Sequence, residues 1–94
     1  MKDQVAVIGV GCTKFGDLFD KSYEDLICDA GFEAYADAGI DPADIDAAYL
    51  GTYLPGPNGG KAAVSLGDAL RLYDRPITRV ENYCATGTDA FRNG

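Results

Sequence analysis

Few residues in this chain are of the types that do covalent chemistry: Cys12, Cys28 and Cys84, with no histidine anywhere in the 94 residues. The lack of histidine excludes, within this chain, a histidine triad, a histidine general base or a histidine metal ligand. The cysteine spacings of 16 and 56 fit no CxxC pair and no zinc pattern. Cys84 has the most suggestive setting, between an apolar run ending at Tyr83 and a helical pattern running to Gly94. A helix N-terminus offers free backbone N–H groups and a positive partial charge, which favour the nucleophilic thiolate. The same N–H groups can hold a developing oxyanion. Ala85, Thr86 and Gly87 are small enough for a substrate carbonyl to come close, and Asn82 can donate or accept a hydrogen bond nearby. The competing reading is an inert cysteine packed at a strand–helix turn, a common fate of free cysteine. Cys12, in a glycine-rich loop, and Cys28, beside Ile27 on a helix, have neither a helix N-terminus nor a nearby base, and read as packing residues.

Two other patterns invite a ligand. Gly9-Val10-Gly11 follows an apolar run as a dinucleotide fingerprint would, but Lys14 stands at the third glycine position. The next helix begins only near Ser22, and no acidic ribose ligand follows on a second strand. A tight turn after a strand is the better reading. Arg71, Arg75, Arg79 and Arg92 lie in the second half. They could meet phosphate, but a surface role is the better reading.

The elements that must position Cys84 follow from periodicity. Gln4 to Val10 is a nearly continuous β-branched run and predicts a strand buried on both faces. Ser22-Tyr23-Glu24-Asp25 reads as a capping box opening an amphipathic helix of roughly 17 residues, closed by Gly39. Asp41-Pro42 predicts one further helical turn. A strand follows over Ile45–Tyr53, a loop over Leu54–Gly60, a helix over Lys61–Tyr73 and a strand over Ile77–Tyr83. A helix from Cys84 completes the order β-α-β-α-β-α, which predicts an α/β fold with a mainly parallel sheet and right-handed crossovers. There is no internal repeat and no linker. A last helix with no strand after it, and three strands with open edges, read as the truncated front of a larger domain.

Composition bounds the partners. Asp and Glu number 15 against 8 Lys and Arg, a net charge of −7. Residues 1–50 carry 11 acids and 3 bases, whereas residues 51–94 carry 4 and 5. No basic patch suits nucleic acid, and the acidic half reads as a solvated helix face. No apolar run approaches the ~20 residues that cross a bilayer, and no convincing signal peptide opens the chain. Reduced thiols and a cytoplasmic location are the expectation.

The stretch Val5-Ala6-Val7-Ile8-Gly9-Val10-Gly11-Cys12-Thr13-Lys14-Phe15-Gly16 resembles the opening of the thiolase family. It is most similar to the branch of acetyl-CoA acetyltransferases and sterol-carrier-protein-type thiolases. Val80-Glu81-Asn82-Tyr83-Cys84-Ala85-Thr86-Gly87 resembles that family's nucleophile motif. The resemblance implies a thiolase-like fold of which residues 1–94 are the N-terminal part. It implies that Cys84 is the acyl-accepting nucleophile in cleavage or Claisen condensation of 3-oxoacyl-CoA. The implied partners are acyl-CoA and CoA as substrates with no separate cofactor, a homodimer or homotetramer, and a small OB-fold protein in some members. A histidine in a Gly-His-Pro-like motif and a second cysteine in a Cys-x-Gly motif, which the family places in its C-terminal half, are absent from these residues. The alternatives are a truncated or non-catalytic thiolase-like subunit and a thiolase-fold aldolase or condensing enzyme.

Overall fold

A computed structural model of the chain describes residues 2–53 and 62–94. The order of elements is helix α1 (Tyr23–Ala38), a 3₁₀ turn (Pro42–Asp44), strand β1 (Ala48–Gly51) and helix α2 (Ala62–Leu70). Strand β2 (Ile77–Val80), a second 3₁₀ turn (Tyr83–Ala85) and helix α3 (Thr86–Asn93) follow. The loop expected over Leu54–Gly60, and Lys61 at the start of the next helix, lie outside the described residues.

Helix α1 has the limits its local signals dictate. The Ser22 hydroxyl accepts the Asp25 N–H at 3.0 Å, and the Asp25 carboxylate accepts the Ser22 N–H at 2.8 Å. Two N–H groups that a helix start leaves unpaired are thereby satisfied. The Ser22 backbone N–H, and after it the Ser22 side chain, hold the Asp25 carboxyl below its ordinary range. Lys21 pairs with Asp29 at 2.6 Å, and its ammonium is raised by that bond. At the other end Gly39 takes φ 69°, a left-handed cap that a side chain disfavours.

β1 and β2 pair in parallel, with Ala48 opposite Ile77 and Gly51 opposite Val80. Parallel strands need a long crossover, and α2 lies within it. Helix α1 packs against α2. The Cys28 thiol donates to the Ala69 carbonyl at 3.4 Å, and the Tyr35 hydroxyl donates to that of Leu70 at 3.3 Å. Burial raises the Tyr35 phenol. Leu66 and Leu72 form the buried apolar centre among the described residues.

The first segment departs from the sequence expectation. Residues 5–10 join no ladder, and the described sheet contains only β1 and β2. The segment runs instead beside α1. The Val10 N–H donates to the Asp37 carboxylate at 2.9 Å and the Cys12 N–H to that of Glu33 at 3.5 Å. Gly9 and Gly11 are therefore points of close approach rather than a turn. A Cβ on Gly9 would lie 2.6 Å from the Ala34 carbonyl oxygen, and one on Gly11 would overlap that of Ala30. An open groove of about 880 Å³ separates Val5–Gly9 from Tyr49 and Phe91.

Candidate active site

Cys84 is exposed, four residues beyond the end of β2. The sequence places it at the first residue of a helix, but it sits in the 3₁₀ turn, with α3 beginning two residues later at Thr86. The reason is local. Tyr83 has φ 48°, in the left-handed region, so a right-handed helix cannot run through it. The turn reverses the chain between strand and helix and presents Cys84 on its outside.

Several bonds fix that turn. The Ala85 N–H donates to the Asn82 carbonyl at 2.9 Å, and the Thr86 N–H donates to that of Tyr83. The Glu81 carboxylate accepts the Tyr83 N–H. The Thr86 hydroxyl donates to the Tyr83 carbonyl at 2.6 Å and accepts the Asn82 N–H at 2.8 Å. Asn82 thus contributes through its backbone, and its side chain caps neither the turn nor α3. The Ala85 and Thr86 N–H groups are engaged inside the turn. No side chain caps α3, and Ala85 stands at its cap position.

Thr86 is the residue that sequence reasoning missed. The sequence marks it only as small, yet it is the buried polar side chain of the described residues, at 6% exposure. A signal existed: a threonine three and four residues after backbone groups of a turn is a recurrent side-chain-to-backbone motif.

Neighbouring elements meet the turn from one side. The Arg79 guanidinium donates to the carbonyls of Thr52 at 3.0 Å and Tyr53 at 3.2 Å, tying down the chain as it leaves β1. The Tyr53 ring lies 5.1 Å from that of Tyr83. The arginines are largely occupied within the molecule. Arg75 donates to the Ile45 carbonyl at 2.7 Å, and Arg71 lies over the Phe32 ring at 5.6 Å. The other two thiols lie elsewhere: Cys12 donates to the Thr13 carbonyl at 3.3 Å beside α1, and Cys28 bridges α1 and α2. Among the described residues, no three Cys, Asp or Glu side chains gather as a metal site. No helix among them is long and apolar enough to cross a membrane.

Comparison with known proteins agrees with this arrangement. No family model matches the chain. The acetyl-CoA acetyltransferase of Methanothermobacter thermautotrophicus is 46% identical over 96 aligned residues, covering 100% of this chain and 25% of that protein. Sterol carrier protein 2 of Gallus gallus is 40% identical, covering 97% of this chain and 17% of that protein. Among solved structures, the tetronic acid condensing enzyme AbyA1 superposes with a TM-score of 0.68 at 26% identity, over 78% of this chain and 23% of its own. The chain thus spans a quarter or less of the relatives it matches. Within that span it is an α/β segment of the thiolase-like fold, homologous to acetyl-CoA acetyltransferase and sterol carrier protein 2 and matching an N-terminal piece of the thiolase family.

Proposed function

We propose that Cys84 is the acyl-accepting nucleophile of a thiolase-type acyltransferase. The observation that carries this reading is the exposed thiol on the outside of a bonded strand–helix turn, in a chain 46% identical to an acetyl-CoA acetyltransferase. In the cleavage direction the Cys84 thiolate adds to the 3-oxo carbonyl of a 3-oxoacyl-CoA. Collapse of the adduct breaks the bond between that carbon and C2, and the electron pair leaves as the enolate of acetyl-CoA, which takes up a proton. The acyl group is left as a thioester on Cys84. The thiolate of a second CoA attacks it, forming acyl-CoA and releasing the Cys84 sulfur. In the synthetic direction the same steps run backwards. Proton transfers need a base, and these 94 residues contain no histidine to supply one.

Intact-mass analysis of the full-length protein after incubation with acetyl-CoA tests the reading. Wild type gains one acetyl group, located on the Cys84 peptide, and Cys84→Ser gains none. An unmodified wild type, or acetylation that persists in Cys84→Ser, overturns it.

The likeness to a condensing enzyme supports a second reading. There Cys84 also carries the acyl group, but a carbon nucleophile removes it instead of CoA. Discharge of the isolated acyl-enzyme by free CoA favours the thiolase; discharge only by a carbon nucleophile favours the condensing enzyme.

A further inference from the structure

We infer that Thr86 is a positioning residue for Cys84, and that its hydroxyl and its methyl group have separate tasks. The inference rests on the reading of Cys84 as the acyl acceptor. It concerns what holds that sulfur in place.

The hydroxyl controls the turn. Tyr83 is a bulky residue at φ 48°, and such a conformation persists only where its surroundings over-determine it. The Thr86 oxygen supplies two of the constraints, donating to the Tyr83 carbonyl at 2.6 Å and accepting the Asn82 N–H at 2.8 Å. Both bonds close on the two residues immediately before Cys84. Because Thr86 is 6% exposed, water has little access to replace the hydroxyl. Without it the Asn82 N–H loses its acceptor, and the Tyr83 carbonyl, at the peptide leading into Cys84, keeps only the Thr86 N–H as a partner.

The methyl group seats the residue. A Cβ on Gly51, the last residue of β1, would lie 3.1 Å from Thr86 Cγ2, 2.9 Å from the Thr86 carbonyl oxygen and 3.2 Å from the Ala90 Cβ. Glycine there lets the start of α3 lie directly on the strand. The sheet thereby fixes Thr86, and Thr86 fixes the two residues ahead of the nucleophile. Both hydrogen bonds of the side chain go to backbone groups, and it has no part in bond making.

Thr86→Val keeps the shape and removes the hydroxyl, whereas Thr86→Ser keeps the hydroxyl and removes the methyl. In the full-length protein, Thr86→Val should slow acetylation of Cys84 by acetyl-CoA about 10- to 100-fold, the loss falling on kcat rather than KM. Thr86→Ser should stay within about threefold of wild type, since its hydroxyl bonds survive. Iodoacetamide labelling across pH gives a second readout. The profile of Cys84 should change in Thr86→Val and not in Thr86→Ser, with Cys12 in the same molecule unchanged. A Thr86→Val protein that acetylates and alkylates like wild type overturns the inference, as does a Thr86→Ser protein that loses as much as Thr86→Val. If Thr86→Val fails to fold, Thr86→Ala replaces it, and equal rates in Thr86→Ala and Thr86→Ser overturn the inference. Failure of the underlying reading looks different: wild type itself takes no acetyl group, while the alkylation profiles still report whether Thr86 positions the sulfur.

Discussion

Helices α1 and α3 begin in opposite ways. At α1 the side chains of Ser22 and Asp25 close reciprocally on the first backbone N–H groups. At α3 no side chain caps the helix, and the nearest hydroxyl, that of Thr86, faces back into the preceding turn. The first arrangement strengthens a helix whose exposed side bears Asp25, Asp29, Glu33 and Asp37. The second holds the left-handed Tyr83 and leaves the residue after it, Cys84, exposed. The same kind of group, a hydroxyl beside a helix start, holds the helix in one place and the preceding turn in the other. What differs is the direction in which its bonds run along the chain.

The contrast can be broken at its strongest point by Gly51→Ala. The added carbon enters the contact between β1 and Thr86, and overpacking of this kind costs about 1–3 kcal/mol. Urea unfolding should register that loss, and Cys84 labelling should change with it. Unchanged stability would show that α3 does not depend on the seat. Ser22→Ala removes the cap of α1 and should cost about 1 kcal/mol in the same assay. Cys84 labelling should not move, and a change there would mean that the two helix starts are coupled. Ala85→Asp sharpens the contrast from the other side by bringing a carboxylate to the cap position of α3, ahead of Asp89 in its first turn. A negative charge on the residue next to Cys84 disfavours the thiolate, so alkylation of Cys84 at neutral pH should fall about fivefold. An equal rate would show that the local field matters little there. Acid titration gives the smallest effect. The Asp25 carboxyl lies below its ordinary value of 3.8, so its contribution is fully present above that value and disappears as pH falls through the lowered one. Helix content followed by circular dichroism should decline in that range, and by less in Ser22→Ala.

Legibility in the sequence follows the range of the interaction. Helix α1 could be read almost to the residue, because Ser22, Asp25 and Gly39 act within a turn of where they stand. The paired part of the strands is shorter than the apolar runs that announce it, Ala48–Gly51 and Ile77–Val80. Val5–Val10 has the composition of a strand, but a ladder needs a neighbour, and no local signal reports whether one is there. Gly9 and Gly11 were misread for the same reason. What makes a side chain intolerable at either position is the backbone of α1, 19 or more residues further along. At the candidate site, the residue type and its place after a strand were visible. The left-handed Tyr83 was not, and the Thr86 hydroxyl is announced only by the spacing of a side-chain-to-backbone motif, since its partners are main-chain atoms that every residue possesses.

The stretch beside the open groove has a colloidal consequence. Val5, Val7, Ile8 and Val10 are each at least 60% exposed, and the two-stranded sheet presents bare edges among the described residues. The chain leaves 6988 Å² of surface accessible, against roughly 5200 Å² for a monomeric protein of its size. An uncharged, β-branched ribbon free of proline attracts its own kind, while a net charge of −7 pushes copies apart. The range of that repulsion shrinks from about 30 Å at 0.01 M salt to about 10 Å at 0.1 M, whereas the attraction acts at contact. A preparation of these residues alone should therefore be dispersed in dilute buffer and cluster as ionic strength rises, which light scattering across a salt series would register as a response to the balance of ribbon and charge.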